Sequence, residues 1–289
     1  MRTAPQRGDY GPIAAVIGWP VGHSLSPLLH RHWLAAEGIA GEYVALAVAP
    51  DALGEAVTGL KALGFVGANV TIPHKTAVLA HADRIDPLAR RAGAANLILR
   101  DERGRWIARN TDVAGVRAAL EEVTDARDRT ALLLGAGGAA RAAAVALLDA
   151  GVGRLVIANR HRERAEELAR DLADRRIEVI AWHERNFALA SAELVVNATS
   201  LGMKGMPPLA LDLSLLPAGA VVFDLVYQPL ETALVRQARA RGLAVIDGLK
   251  MLVHQAVPAF AAFYGRPPAD IAGGEAMLRA HLARAGAQT

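Results

Sequence analysis

Cysteine is absent from the 289-residue chain, which excludes disulfides, thiolate metal sites and a cysteine nucleophile. Aromatic residues make up only 4% of it, and its 27 glycines follow no regular repeat, so it is not collagen-like. Lysine occurs only at positions 61, 75, 204 and 250, leaving arginine to carry most of the positive charge. There is no block of like charges, and a net charge of +3 is too mild for a nucleic-acid-binding footprint. No stretch approaches the ~18 uninterrupted apolar residues of a membrane span. Arg2, Arg7 and Asp9 break up any signal-peptide core in the opening residues. What is present is 53% hydrophobic and 21% charged residues, an ordinary globular balance. The length exceeds the ~100–200 residues of one domain. The expectation is therefore a soluble, cytoplasmic chain of two domains, without membrane or nucleic-acid partners.

Strand and helix patterns alternate almost from the start. Ile13 to Gly18 reads as a buried strand, and Leu25 to Gly38 as a helix with Pro27 in its first turn. Glu42 to Val48 is a second strand, and Asp51 to Leu63 a helix with Asp51 as its N-cap. Phe65 to Thr71 is a third strand, ended by Pro73. Helical stretches flank Asp86-Pro87, and Asn96 to Arg100 with Arg105 to Arg109 form a weaker strand pair. A second block follows Asp112: a helix to Val123, the strand Thr130 to Leu134, and a helix to Ala150. Next come the strand Arg154 to Ala158 and a helix from Arg162 to Ala173. Further strands are read at Ile177 to Ala181, Leu194 to Asn197, Ala220 to Asp224 and Leu243 to Ile246. The rhythm is that of mainly parallel sheets. From Gly248 onward the pattern is purely helical, and a strandless tail must pack on another part of the chain. The predicted fold is α/β: a substrate domain (1–112 plus the returning tail 248–289) and a Rossmann-type domain (113–247).

Gly135-Ala136-Gly137-Gly138-Ala139-Ala140 joins a strand to a helix, where backbone N–H groups cradle a dinucleotide pyrophosphate. In an NAD site the next strand usually ends in a carboxylate for the ribose 2′-hydroxyl. Here it ends in Asn159-Arg160-His161-Arg162, with Arg164 following. Guanidinium groups suit a 2′-phosphate, so the pattern reads as NADP. Asn69-Val70-Thr71-Ile72-Pro73-His74-Lys75 closes the third strand, at the strand end where α/β sheets bind ligands. A lysine beside a helix start gives up its proton more readily, which suits proton transfer near neutral pH. His74 reads as a hydrogen-bonding loop residue. Asp112 is either a helix N-cap or an acid–base partner for Lys75, and Ser24 and Ser26 are either caps or ligands for a polyol or carboxylate.

Together with Gly18 to Pro27, Gly93 to Asn96, Asn110 to Asp112, Asn197 to Met203, Asp224 to Pro229 and Asp247 to Gln255, these segments resemble the shikimate dehydrogenase family. The likeness runs from Gly18 to about Gly265, and its specificity lies in the order and spacing of the segments. The resemblance implies reversible hydride transfer between NADPH and 3-dehydroshikimate, with Lys75 and Asp112 as the catalytic pair. It implies that Ser24, Ser26, Thr71, Asn96, Tyr227 and Gln255 hold the substrate. Gly135, Ala136, Gly137, Gly138, Ala139, Asn159, Arg160, Thr199, Met203, Leu225, Gly248 and Met251 would bind the cofactor, with Arg164 added from the charge argument. No metal is implied, and the chain would act as a monomer or homodimer on a small molecule. His161 departs from the family's frequent threonine, Lys250 has no assigned role, and residues 1–12 match nothing and read as a frayed extension. Neighbouring readings are a quinate/shikimate dehydrogenase and an aminoshikimate-type paralogue. A methylene-tetrahydrofolate-type enzyme fits the polar substrate set less well, and a non-catalytic dinucleotide sensor would have no use for Lys75 and Asp112.

Overall fold

The computed structural model describes residues 11–286, so the expectation for residues 1–10 lies outside the described residues. Residues 11 and 12 are part of the fold. The Glu42 amide donates to Pro12 O at 3.1 Å, and a side chain at Gly11 would overlap the Ala40 carbonyl. The chain divides into two compact units: Met1–Arg90, Ala94–Thr111 and Ala256–Leu278 in the first, and Arg91–Gly93, Asp112–Gln255 and Arg279–Thr289 in the second.

The first unit is built on β1 (Ile13–Gly18), α1 (Ser26–Glu37), β2 (Glu42–Ala47), α2 (Leu53–Ala62), β3 (Gly67–Val70), β4 (Arg84–Ile85), α3 (Pro87–Ala92), β5 (Leu97–Arg100) and β6 (Trp106–Arg109). Its sheet runs β2-β1-β3-β5-β6-β4, parallel across β2, β1 and β3 and antiparallel at β3–β5 and β5–β6. Two expectations are corrected here. Asp51 does not cap α2: Pro50 starts a 3₁₀ turn one residue earlier, Asp51 lies inside that turn, and the N-cap position falls on Ala52. The stretch expected as a helix before Asp86 is a 3₁₀ segment, Ala77–His81, so no α-helix terminus stands behind Lys75.

The second unit contains α4 (Asp112–Glu121), β7 (Thr130–Leu134), α5 (Gly138–Asp149), β8 (Arg154–Ala158), α6 (Arg162–Leu172), β9 (Ile177–Ile180), α7 (Arg185–Leu189), β10 (Leu194–Asn197), β11 (Val221–Asp224), α8 (Ala233–Ala240) and β12 (Ala244–Ile246). The sheet order is β12-β11-β10-β7-β8-β9, all parallel. Strands such as Leu194–Asn197 and Val221–Asp224 are apolar up to a polar last residue, and every residue of both is buried, as a sheet covered on both faces requires. The chain passes outward one way from β7 through β8 to β9, then back to β10 on the other side. That reversal is the topological switch point of a doubly wound sheet. Sequence periodicity did not show α7, which is five residues long, or α8, whose N-cap Thr232 accepts the Val235 amide at 3.1 Å.

The tail forms α9 (Gly248–Tyr264) and α10 (Ile271–Gly286). Residues Ala256–Leu278 group with the first unit, whereas Gly248–Gln255 and the stretch from Arg279 onward, expected in the substrate domain, group with the second. The Trp33 indole donates to Asp270 O at 3.0 Å, and a side chain at Gly274 would strike the Trp33 ring. Phe260, Phe263 and Tyr264 from α9 join Trp33 and Tyr43 around His30. His30 is fully buried and stacked on Tyr43 at 4.0 Å, and neither ring nitrogen has a hydrogen-bond partner. Burial pushes its pKa down from 6.5 to about 3. Between those values the unfolded chain binds the extra proton, so stability is complete above pH 6.5 and falls as the pH drops toward 3. At pH 5 this group alone costs about 2 kcal/mol. His30→Leu is expected to flatten that part of the pH dependence. Urea unfolding of both proteins at pH 7 and pH 5 checks it, and identical losses would refute it.

Candidate active site

In the first unit the predicted substrate residues lie at one edge of the sheet. The carboxyl ends of β1, β2 and β3 are in register there, with Gly18 beside Ala47 and Ile17 beside Val70. Ser24 and Ser26 follow β1, Thr71 and Lys75 follow β3, Asn96 precedes β5, and Thr111 follows β6. The Ser24 hydroxyl accepts the Ser26 amide at 3.3 Å, but neither serine caps α1: the N-cap position falls on Leu25, with no side-chain cap bond, and Ser26 is the buried first residue of the helix. Asn96 is 2% exposed and binds Thr111 twice, donating to Oγ1 at 2.8 Å and accepting the Thr111 amide at 2.6 Å. Its carbonyl takes the Val70 amide at 2.8 Å and the Asn69 side-chain amide at 3.1 Å. The backbone just ahead of Asp112 is therefore fixed by a buried side chain. Lys75 is half-buried, and its carbonyl accepts the Ala95 amide at 2.7 Å. His74 is buried, with Nε2 2.7 Å from Val48 O, so the ring holds its loop as the sequence reading expected.

In the second unit the carboxyl ends of four strands are aligned. Leu134 pairs with Ala158 on one side and Asn197 on the other, and Asn197 pairs with Asp224. The residues that follow are Gly135, Asn159, Thr199 and Leu225, so the predicted cofactor segments share one edge. Gly135 has φ +113°, and a Cβ there would meet Ala198 O at 2.9 Å, so only glycine fits at the switch point. Gly137, the N-cap of α5, differs. Its φ is −82°, and a Cβ would meet nothing within 4 Å. Among the described residues nothing demands glycine at 137; the open space lets a ligand approach the backbone. The first-turn amides of α5, from Gly138 and Ala139 onward, have no acceptor within the helix and lie at its positive end. Arg160 and Arg164 are exposed beyond β8, and no carboxylate stands at its end. The residues present fit a dinucleotide that bears an extra phosphate.

A side chain at Gly248 would collide with Leu225 O at 2.4 Å, so Gly248 and Leu225 are in contact. Gly115 of α4 lets α9 approach: a Cβ there would meet Gln255 Cβ at 2.7 Å and Met251 O at 2.9 Å. Gln255 is buried and donates to Leu252 O at 2.9 Å, and Tyr227 and Met203 are half-buried. No group of three or more metal-ligating side chains occurs among the described residues, and no helix there is long and apolar enough to cross a membrane.

Sequence models of the shikimate dehydrogenase substrate binding domain and of shikimate / quinate 5-dehydrogenase match residues 16–98 and 117–203. The chain belongs to the shikimate dehydrogenase family. The shikimate dehydrogenase (NADP(+)) of Methylobacterium radiotolerans is 52% identical over 262 residues, 89% of this chain and 93% of that protein. The shikimate 5-dehydrogenase of Thermus thermophilus, solved with NADP(H) and shikimate, is 38% identical with a TM-score of 0.83, covering 93% of this chain and 98% of that one. The quinate dehydrogenase of Corynebacterium glutamicum, solved with NAD, is 32% identical with a TM-score of 0.86, covering 94% and 100%.

Within this member of the shikimate dehydrogenase family, two polar clusters escaped the sequence reading. Asp224 is fully buried, and its carboxylate accepts from the Asn197 side chain (2.8 Å), the Val226 amide (3.1 Å) and the Thr232 hydroxyl (2.6 Å). Asn197 Oδ1 in turn accepts the Thr199 amide at 3.1 Å and hydroxyl at 2.7 Å. Burial raises the Asp224 pKa, with the bonds from Thr232, Val226 and Asn197 working against it. This network fixes the loops that carry Thr199, Met203, Leu225 and Tyr227. The second cluster explains Lys250, whose ammonium lies 2.8 Å from Glu122 Oε2, while His254 reaches Glu122 Oε1 at 2.8 Å. Asp247 accepts the Leu249 amide at the start of α9 and is gripped by both terminal nitrogens of Arg279. Only the placement of Asn197 and Asp224 at strand ends hinted at such roles.

Proposed function

We propose that the protein catalyses the reversible NADP-dependent reduction of 3-dehydroshikimate to shikimate, a step of aromatic amino-acid biosynthesis, in the cytoplasm. The observation that carries this reading is the edge where Leu134 and Ala158 stand in register, which sets the glycine loop beside a turn holding Asn159 and Arg160 and no carboxylate. We assign substrate binding to residues 1–112 and 248–289, and cofactor binding to 113–247. When bound, NADPH supplies the hydride. The amides from Gly135 to Ala139 receive the pyrophosphate, and Asn159, Arg160 and Arg164 receive the ribose phosphate. Gly248 and Met251 approach the nicotinamide, while Thr199, Met203 and Leu225 line the cofactor crevice.

Ser24, Ser26, Thr71, Asn96, Tyr227 and Gln255 hold the substrate carboxylate and hydroxyls. Lys75 gives a proton to the carbonyl oxygen during reduction and takes it back from the hydroxyl during oxidation. Asp112 orients the lysine and the substrate. With redox chemistry left to the cofactor, the chain has to position two molecules and manage one proton. The test is NADPH oxidation with 3-dehydroshikimate, with the product identified as shikimate; absence of turnover would overturn the assignment.

A further inference from the structure

We propose that Glu122 is a positioning residue for the reaction: by holding Lys250 and His254 it fixes the rotation of α9, and with it the placement of Met251 and Gln255. This rests on the reading that Met251 approaches the nicotinamide and Gln255 holds the substrate. Glu122 directly follows α4, and its amide still donates to Ala118 O at 3.3 Å, so its backbone continues the helix. Its two carboxylate oxygens are divided between two side chains of α9. Oε2 lies 2.8 Å from the Lys250 ammonium, and Oε1 lies 2.8 Å from His254 Nε2. An ionised carboxylate only accepts, so the Nε2 that faces it carries the hydrogen. Burial works to raise the Glu122 pKa, but the bonds from Lys250 and His254 outweigh it and hold the carboxyl below its ordinary range.

Lys250 and His254 are four residues apart and share one face of α9. Met251 and Gln255 are likewise four apart, on the neighbouring face about 100° round the axis. The two faces therefore turn together. At Gly115 α4 comes closest to α9: a Cβ there would lie 2.9 Å from Met251 O and 2.7 Å from Gln255 Cβ. That contact sets how near the helices approach, but a glycine offers no side chain to resist a roll. Asp247 holds the end of α9 by accepting the Leu249 and Lys250 amides at 3.2 and 3.4 Å. What remains is rotation, and the two-armed grip of Glu122 supplies it, roughly 10 Å further along α4 than Gly115. Asp112 is the first residue of that same α4. One helix thus carries the acid–base partner at its start and, through α9, sets Met251 and Gln255.

The magnitudes separate positioning from folding. Glu122, Lys250 and His254 are 40%, 32% and 20% exposed, and ion pairs so wetted contribute little to stability. A roll of about 10° would carry side-chain tips by about 1 Å on a helix ~10–12 Å across. Misplacement by that distance lowers rates by up to about 10²-fold.

The experiment is steady-state oxidation of shikimate with NADP⁺, together with thermal unfolding and NADP⁺ titration of the full chain. The proteins are wild type, Glu122→Ala, Glu122→Gln, the double variant Lys250→Ala with His254→Ala, and the triple variant. Glu122→Ala is expected to lower kcat/KM for shikimate about tenfold or more. Its Tm should fall by no more than about 4 °C. Its Kd for NADP⁺ should stay within about twofold, because the pyrophosphate end of the cofactor is held elsewhere. Glu122→Gln keeps the length and one acceptor oxygen, and should recover part of the loss. The triple variant should lose no more than Glu122→Ala, since its partners act only through the carboxylate. Wild-type kinetics in Glu122→Ala, a loss accompanied by a Tm fall of about 10 °C, or additive losses in the triple variant would overturn the inference. If the wild type itself fails to oxidise shikimate, the reading of Met251 and Gln255 falls with the function. If it turns over and Glu122→Ala matches it, only the role of Glu122 fails.

Discussion

Lys75→Ala is expected to lower kcat by roughly 10²- to 10⁴-fold, the usual range for losing a proton-transfer residue, and to change the KM for shikimate far less. The lysine is half-buried on a loop held twice: its own carbonyl accepts the Ala95 amide, and the neighbouring His74 ring is bonded to Val48 O. Replacing its side chain should therefore remove an ammonium from a placed position without unravelling the loop. Lys75→Arg keeps the charge, but a guanidinium does not release its proton at working pH, so it should bind substrate and still fail to restore turnover. Steady-state kinetics with circular dichroism of each variant checks this. Near wild-type kcat in Lys75→Ala would remove the lysine from the chemistry.

The second large effect is on stability and cofactor affinity together. Asp224→Ala deletes the acceptor of three buried donors, Asn197 Nδ2, Val226 N and Thr232 Oγ1. A buried donor left unsatisfied costs about 1–3 kcal/mol, so the variant should lose at least about 3 kcal/mol. For a protein of this size that is a fall of about 6–12 °C in Tm. Thr199 is held through Asn197, and Leu225 directly follows Asp224, so the Kd for NADP⁺ should rise in the variant that still folds. Asp224→Asn keeps the shape and one acceptor oxygen, and should lose less on both counts. Thermal unfolding and nucleotide titration of the two variants test this; an unchanged Tm in Asp224→Ala would contradict it.

The parts of this protein that were legible in its sequence are those whose signal is local. Thr130–Leu134 followed by Gly135-Ala136-Gly137 reads as strand, turn and helix start because an apolar run, a positive-φ glycine and an alanine-rich helix sit side by side in the chain. The arginine turn at 159–164 was readable for the same reason. The Asp224 network was not, because Asn197 and Asp224 become partners only when β10 and β11 pair in register, 27 residues apart. Asn96 and Thr111 meet likewise through the β5–β6 pairing: both stood in family motifs, but nothing in the sequence showed that the threonine anchors Asn96. Asp51 misled because aspartate before an apolar run is a capping signal, whereas Pro50 starts the turn one residue sooner. His30 sits in an apolar-looking helix, and only the convergence of α1 with α9 shows that its ring is sealed among aromatics.

The central claim is that this chain oxidises shikimate with NADP⁺. Initial rates of nicotinamide reduction with shikimate and with quinate, each with NADP⁺ and with NAD⁺, test it most directly. The account predicts that the shikimate–NADP⁺ pair exceeds every other combination by about tenfold or more in kcat/KM, since sites built to hold a particular polar group discriminate strongly. Equal or faster turnover with quinate or with NAD⁺, or no turnover with any pair, would contradict it.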